Sequence, residues 1–447
     1  MSRRLDVLIN EEVVGELREE NDLWQLEYGE AWRSSPRGFD LSPALPREPA
    51  LHIDGATARP VQWYFDNLLP EEAMRTVLAK EAEIDAEDAF GLLAFYGAES
   101  AGSLVLRRAG DNDAPERGVK LLPLGELNRR ILNLPNVSLT RDAPKRMSLA
   151  GAQHKLLAVY QGGKLFEPLA GTPSTHILKP NYPDADYPAS VMNEYFVMRL
   201  ARAVGLAVPP VYRIYAPEPV YIVERFDRID RLGQPLELAD VETVQRRHVI
   251  DTCQLLNKAR NFKYTAADLN SLTQAIGVCR YKAAARLHLF RWVLFNVLIG
   301  NADNHLKNIS FIVSDEGINV APCYDLLSTA VYETKAFVNE KAQWPATPLT
   351  LHVGNATVFA AVTRADLLAA GQTLGLAMAT AEREIERMLR TIQVKADGLI
   401  TEIESSLDNQ IAEAPESESA RRHVAGELRV LRAIRSIVLA EMCRRLT

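Results

Sequence analysis

An aspartate and an asparagine five residues apart, in a loop just after an apolar run, are the pieces that phosphoryl transfer calls for. The sequence holds them in Gly300-Asn-Ala-Asp303-Asn-His305-Leu-Lys307-Asn308, and a second aspartate follows in Cys323-Tyr324-Asp325. In such a constellation one carboxylate orients and deprotonates the attacking hydroxyl, while an amide oxygen and the other carboxylate hold magnesium. Asp303 is the candidate base, and Asn308 and Asp325 are the candidate metal ligands. Taken singly, Asn and Asp are also the commonest loop residues and read as turns or helix caps. The spacing carries more than any one residue. The polar segment also lies between the apolar stretches WVLFNVLIG and ISFIV, which points to a crevice where unpaired polar groups would be costly.

Three other segments have the chemistry to meet a nucleotide. In Ser148-Leu-Ala150-Gly151-Ala152-Gln153-His154-Lys155, small residues let backbone N–H groups approach phosphate oxygens, and Lys155 adds a charge. The segment is neither a Walker A motif nor a G-x-G-x-x-G loop, and alone it reads as an ordinary hairpin turn. Lys179 closes the strand-like THILKP, with Glu194 fifteen residues on in the next helix. Kinases use such a strand lysine, held by a helix carboxylate, on the nucleotide phosphates. The other reading is a surface lysine beside a proline and a solvated glutamate. Glu224-Arg225-Phe226 ends a strand before the helical half, and is either a hinge whose backbone meets an adenine ring or a surface ion-pair strand.

The elements that must position these residues follow from periodicity. LDVLI, VVGEL and WQLEY form a small meander, and a proline-rich loop covers residues 34–49. A helix follows Pro70, and GAESAGSLVLRRAG turns into another strand, closing a first domain near residue 110. LLAVY and KLFEP flank a Gly162-Gly163 turn. Residues 190–206 carry Val191, Tyr195, Phe196 and Met198 at helical spacing and stop at Gly205, and the strands VYRIY and VYIVERF come next. After about residue 235 the chain is mainly helical. Leu287, Phe290, Leu294 and Leu298 make a stripe that ends at Gly300. Thr363 and Asp366 form a capping box.

The seven arginines after residue 420 (Arg421, Arg422, Arg429, Arg432, Arg435, Arg444 and Arg445) lie on helical sequence. They form either a solvated basic face or a contact for DNA phosphate or an acidic partner.

With 447 residues, 47% of them apolar and 24% charged, the chain is expected to fold into two or three globular units. Acidic residues outnumber basic ones, 58 to 51, so no overall positive field draws the chain onto nucleic acid or an anionic membrane. The cysteines Cys253, Cys279, Cys323 and Cys443 are scattered, without a C-x-x-C pair, and are expected as reduced thiols. The opening MSRRLDVLINEEVVG has too short an apolar run for a signal peptide, and no stretch is long enough to span a membrane. The expected location is the cytoplasm.

In order along the chain, FDNLLPE at 65–71, SLAGAQHK at 148–155, HILK at 176–179, NEY at 193–195, VERFDR at 223–228, NADNHLKN at 301–308 and YDLLS at 324–328 resemble the HipA family, the serine/threonine kinase toxins of bacterial toxin–antitoxin pairs. The resemblance covers nearly the whole chain. It implies an α+β, two-lobed, protein-kinase-like fold with a small β-rich N-terminal domain. The divisions would be an N-terminal domain at 1–110, a kinase N-lobe at 111–230 and a mainly helical C-lobe at 231–447. It implies ATP and Mg2+ as cofactors, Asp303 as the base, and Asn308 and Asp325 on magnesium. Lys179 and the loop from Ala150 to Lys155, including Gly151, Ala152, Gln153 and His154, would meet the phosphates. Glu224, Arg225 and Phe226 would meet the adenine, and His305, Lys307, Asn308 and Tyr324 would line the site.

His154 stands where some members have an acidic residue. Ser148 matches the serine on which members autophosphorylate; a phosphate there should drive the loop out of the site, and Lys145 and Arg146, close by in sequence, could pair with it in the displaced position. By the same resemblance the partners would be a HipB-like helix-turn-helix antitoxin, operator DNA through that complex, and a protein of translation. An aminoacyl-tRNA synthetase such as glutamyl-tRNA synthetase is the type of substrate implied. Two rivals stay open, a small-molecule kinase of similar fold and a catalytically idle co-repressor.

Overall fold

The structure, a computed structural model, describes residues 2–447 apart from 112–114, 148–149, 152, 233 and 237. It divides into two compact units, the first formed by Met1–Lys179, Val223–Phe262 and Ser310–Ala321, the second by Pro180–Ile222, Lys263–Ile309 and Pro322–Thr447.

The first unit opens with the expected meander. Strands β1 (Arg3–Ile9), β2 (Glu12–Glu20) and β3 (Leu23–Tyr28) are joined by the two-residue turns Asn10-Glu11 and Asn21-Asp22. All four turn residues have positive φ, the conformation that matches the twist of a tight hairpin and that Asn and Asp tolerate. β4 (Leu51–Ile53) and β5 (Leu104–Arg108) complete an antiparallel sheet in the order β4-β3-β2-β1-β5. Gly15 is required here, since a Cβ on it would lie 2.2 Å from the Glu27 carbonyl oxygen of the neighbouring strand. One face of the sheet is covered by the Ala89–Tyr96 helix, whose Phe90 meets Trp24 edge to face with centroids 5.1 Å apart.

The Pro60–Asp66 helix has no counterpart in the sequence reading. Its first N–H groups, on Val61 and Gln62, donate to the carboxylate of Asp54 at 2.8 and 3.0 Å.

Farther along this unit, β6 (Val119–Leu121), β7 (Leu156–Gln161), β8 (Lys164–Pro168) and β9 (His176–Pro180) pair antiparallel in the order β9-β7-β8-β6. Gly162 and Gly163, both left-handed, close the β7–β8 hairpin. Leu156 to Val159 are buried without alternation, as in a strand covered on both faces. Val249–Asp251, Ser310–Ser314 and Gly317–Val320 make a further three-stranded antiparallel sheet.

The second unit is mainly helical. The Lys282–Leu298 helix buries Phe290, Leu294, Phe295 and Leu298 completely. The 35-residue Met378–Ala412 helix buries Ala381, Ile385, Met388, Ile392, Ala396, Ile403, Leu407 and Ile411, a three-to-four-residue spacing that keeps one stripe on the core. The Thr363–Asp366 capping box forms as expected at the Arg364–Thr373 helix. Arg213 and Glu427, both fully buried, pair at 2.9 Å, and Tyr215 donates to the same carboxylate.

The arginine-rich tail is largely neutralised by its own surroundings. Arg432 pairs with Glu404, Arg435 with Asp397, and Arg444 and Arg445 with Glu441, while Arg429 lies over the Phe337 ring. The cysteines are thiols without a disulfide, and all four are buried. Among the described residues, no helix is long and apolar enough to cross a membrane.

Candidate active site

In the second unit the catalytic-type loop is built from the helix that precedes it. Asn296 interrupts the apolar run of the Lys282–Leu298 helix and is fully buried. Its amide nitrogen donates to the Trp292 carbonyl, and its oxygen accepts from Asn301 Nδ2 at 2.7 Å. The chain then turns at Gly300, left-handed at φ 63°, where a Cβ would press on Val438 at 2.8 Å. Asn301 Oδ1 accepts from the Asp303 N–H at 2.9 Å, and Asn308 Nδ2 donates to the Asp303 carbonyl at 2.7 Å. The Asp303 backbone is therefore held on both sides by amide side chains.

The Asp303 side chain keeps 43% of its exposure, and its Oδ1 accepts from the Tyr264 hydroxyl at 3.1 Å. His305 Nε2 lies 3.7 Å from the same oxygen, and its ring meets Tyr264 edge to face. His305, Lys307 and Asn308 are buried, in keeping with the expected crevice, and the Tyr324 hydroxyl donates to the Lys307 carbonyl at 2.6 Å.

Asp325 adopts a left-handed backbone at φ 53°. Its segment is tied to the Ser190–Ala203 helix, because Asn193 donates to the Ser328 carbonyl and accepts from the Ser328 N–H, both at 2.8 Å. Glu194, next on that helix, is buried. The enclosed Tyr221 phenol is pushed far up by burial, and then by the nearby charges of Glu194 and Asp325.

The donor set suits a hard divalent cation. Asp325 has a carboxylate, and Asn308 commits its amide nitrogen to Asp303, so that its oxygen is the atom that could meet a cation. Two such oxygens leave positions for phosphate and water oxygens, the manner in which Mg2+ is usually held.

The first unit carries the nucleotide-type residues. Gly151 is left-handed at φ 113°, and Lys155 Nζ donates to the Ala150 carbonyl at 2.9 Å. Gln153 belongs to the same turn. His154 is buried, and burial lowers its pKa. It therefore enters this loop as a neutral ring at pH 7 and leaves the positive charge to Lys155. Lys179, at the end of β9, is also buried, so neither it nor Glu194 is the solvated surface residue of the bland reading. Ser148 and Ala152 lie outside the described residues.

Glu224 ends the Pro219–Glu224 strand, with Arg225 and Phe226 directly after it. Arg225 does form an ion pair, but a buried one. Its guanidinium clasps Asp227 through two bonds of 2.9 and 2.6 Å, and its N–H donates to the Thr175 carbonyl.

Lys145 is fully buried against Glu99 at 2.6 Å, and the Arg146 guanidinium stacks on Phe95 at 3.9 Å. Sequence reasoning gave no role to Tyr264, Asn193, Asn296 or Asn301, although Asn193 and Asn301 stand in the motifs NEY and NADNHLKN. Asn296 left a signal as a polar residue in an otherwise apolar helix, and Tyr264 left none.

Comparison with known proteins bears on the same segments. The HipA-like C-terminal domain matches residues 147–396, and the HipA N-terminal domain matches residues 5–107. A putative kinase of Sinorhizobium fredii, Y4mE, is 37% identical over 68% of this chain and 72% of its own. The serine/threonine-protein kinase toxin HipA of Shewanella oneidensis is 31% identical over 74% of this chain and 76% of its own. A chain from the solved Shewanella oneidensis complex of HipA, HipB and operator DNA matches with a TM-score of 0.71 at 26% identity, over 97% of this chain and 99% of that one.

Proposed function

The chain belongs to the HipA family and has its kinase-like fold, and from that premise we propose that it is an ATP- and Mg2+-dependent serine/threonine protein kinase toxin. The observation that carries this reading is Asp303. Its backbone is clamped by Asn301 and Asn308, while its carboxylate remains partly open to an incoming hydroxyl. Asp303 takes the proton of the acceptor hydroxyl as that oxygen attacks the γ-phosphorus, and the bond from that phosphorus to the β–γ bridging oxygen breaks to release ADP. Asn308 and Asp325 would hold Mg2+, which when bound would neutralise charge on the phosphate oxygens.

Lys179 and the loop from Ala150 to Lys155 meet the phosphates. Glu194 is the candidate for orienting the lysine, and Glu224 to Phe226 meet the adenine. His305, Lys307 and Tyr324 line the site. The acceptor is a serine of a translation-related protein, with an aminoacyl-tRNA synthetase such as glutamyl-tRNA synthetase as the candidate. Ser148 is the site of autophosphorylation. The partners are a HipB-like antitoxin and, through it, operator DNA. Support for these partners comes from the Shewanella complex, which contains both.

The deciding experiment incubates the purified chain with ATP and Mg2+, alone and with a bacterial lysate, and maps new phosphate by mass spectrometry. Phosphate on Ser148 and on a translation protein is expected. Turnover of ATP with phosphate only on small molecules would favour the small-molecule kinase, and absence of ATP turnover would favour the idle co-repressor.

The metal role makes its own prediction. Asp325→Asn replaces the one ionic oxygen of the two candidate ligands with a neutral amide oxygen, so the Mg2+ concentration for half-maximal activity should rise at least about tenfold, as for loss of about 1.4 kcal/mol of binding. A magnesium titration that superimposes on the wild-type curve would remove Asp325 from the metal site.

A further inference from the structure

The chain between the Leu124–Ile131 helix and β7 contains no helix or strand among its described residues, so contacts with other segments must hold those residues in place. What holds it is a series of side chains from the first hundred residues. Glu81 accepts from the N–H and the hydroxyl of Ser138 at 2.8 and 2.6 Å. Glu99 accepts from Lys145 Nζ at 2.6 Å, Phe95 lies under the Arg146 guanidinium, and the Glu71 N–H donates to the Gly151 carbonyl at 3.4 Å. Met74 and Leu78 line one pocket with Met147 and Gly151. The described residues on either side of 148 and 149 are thus both fastened to the N-terminal region.

The Glu99 bond is the one whose purpose local needs do not explain. Glu99 is fully buried and already accepts from Arg228 at 2.6 Å, Arg246 at 2.9 Å and Ser174 Oγ at 3.0 Å, with Arg225 at 3.3 Å. Its charge is satisfied several times over without a fourth cation. Burying Lys145 as well costs desolvation, and what it adds is a fixed point three residues before Ser148. A second bond, from Lys145 Nζ to the Thr172 carbonyl at 2.9 Å, fixes the ammonium from the other side.

We propose that the N-terminal region is a positioning element for nucleotide phosphates, with Glu99 acting through Lys145, and Phe95 through Arg146, to hold the loop that ends at Lys155 in its phosphate-binding place. This rests on the nucleotide reading of residues 150–155 given above. A loop held ready loses less freedom when phosphate oxygens dock on its N–H groups. The anchor therefore affects only ligands that carry those phosphates. Lys145 and Phe95 are positioning residues and touch no nucleotide themselves.

The test measures dissociation constants of Mg2+-ATP and of adenosine for the full-length chain by calorimetry, for wild type, Lys145→Met and Phe95→Leu. Lys145→Met keeps the length of the side chain and removes one buried cation from a cluster rich in them. Phe95 is only half-buried, so Phe95→Leu preserves the fold if the first variant fails to. Each variant is expected to weaken ATP by about 5-fold or more, the range of ordinary coupling between sites, and to leave adenosine unchanged. A urea midpoint near that of wild type excludes general loosening.

If wild type prefers ATP to adenosine and both variants keep that preference, the anchor is wrong and the nucleotide reading stands. Equal losses for ATP and adenosine would also overturn the anchor, since they would report damage to the whole site. A wild-type chain that does not prefer ATP to adenosine would overturn the nucleotide reading and the anchor together.

Discussion

Asp303→Asn is expected to slow phosphoryl transfer by about 10²–10⁴-fold, the usual contribution of a positioned general base, with no loss of fold. The amide has the size of the carboxylate, and its oxygen can still accept from Tyr264. The bonds that shape the loop run through the Asp303 backbone to Asn301 and Asn308, so they survive the change. What disappears is the acceptor for the proton of the attacking hydroxyl. Initial rates at saturating ATP, set beside the urea midpoint of the same preparation, give both halves of the expectation. Turnover within a few-fold of wild type would take Asp303 out of the role of base.

A second large effect is expected in stability. Glu99→Ala removes the carboxylate shared by Lys145, Arg225, Arg228 and Arg246 and leaves Asp227 as the remaining anion at Arg225 and Arg228. Removing one partner of a buried pair typically costs about 3–5 kcal/mol, and here four cations lose the same partner. Urea is the denaturant of choice, because a salt denaturant would screen the repulsion.

The loss has a pH signature. Burial alone would raise the Glu99 pKa, but the charges of Lys145, Arg246, Arg228 and Arg225 together outweigh it and hold the carboxyl well below its ordinary value of 4.5. A depressed carboxyl contributes stability that is fully present above the unfolded-state pKa and is lost as pH falls through the folded one. The part of the difference between wild type and Glu99→Ala that comes from the Glu99 carboxyl should therefore be fully present at pH 7 and shrink only well below pH 4.5, whereas a slope at higher pH belongs to Lys145, which burial lowers to about 8 even beside Glu99. A difference of under about 1 kcal/mol at pH 7, within the range of exposed pairs, would show that the cluster does not need Glu99.

The features that could be read from sequence are those whose cause is local. Gly162-Gly163 marks a hairpin because both residues must be left-handed. Thr363 and Asp366 cap a helix because each bonds the other's backbone within one turn. Asp303 and Asn308 could be paired on spacing because five residues are enough to bring an amide back to a carbonyl.

Features whose cause is distant left no such mark. The Pro60–Asp66 helix starts on Asp54, across the turn at Gly55, so no capping residue stands where one would look for it. Tyr264 reaches Asp303 from 39 residues away. Glu99 sits in GAES, which reads as turn material, and its partners Lys145, Arg225, Arg228 and Arg246 are 46, 126, 129 and 147 residues distant. Charge is the commonest property of a surface, and nothing in the order of residues distinguishes the few charges that go inside.

The buried cysteines have a practical consequence. Cys253, Cys279, Cys323 and Cys443 are at most 4% exposed. Burial raises the thiol of Cys279 to about 11 and that of Cys323 to about 12, and it raises Cys443 as well. Alkylating reagents attack the thiolate and need access to it, so the native chain offers them a dark background. A single cysteine introduced at Val394, 70% exposed on the Met378–Ala412 helix, would take a fluorophore or spin label by itself. Distance measurements on the folded protein can therefore begin from the natural sequence, without first replacing the four thiols of its interior.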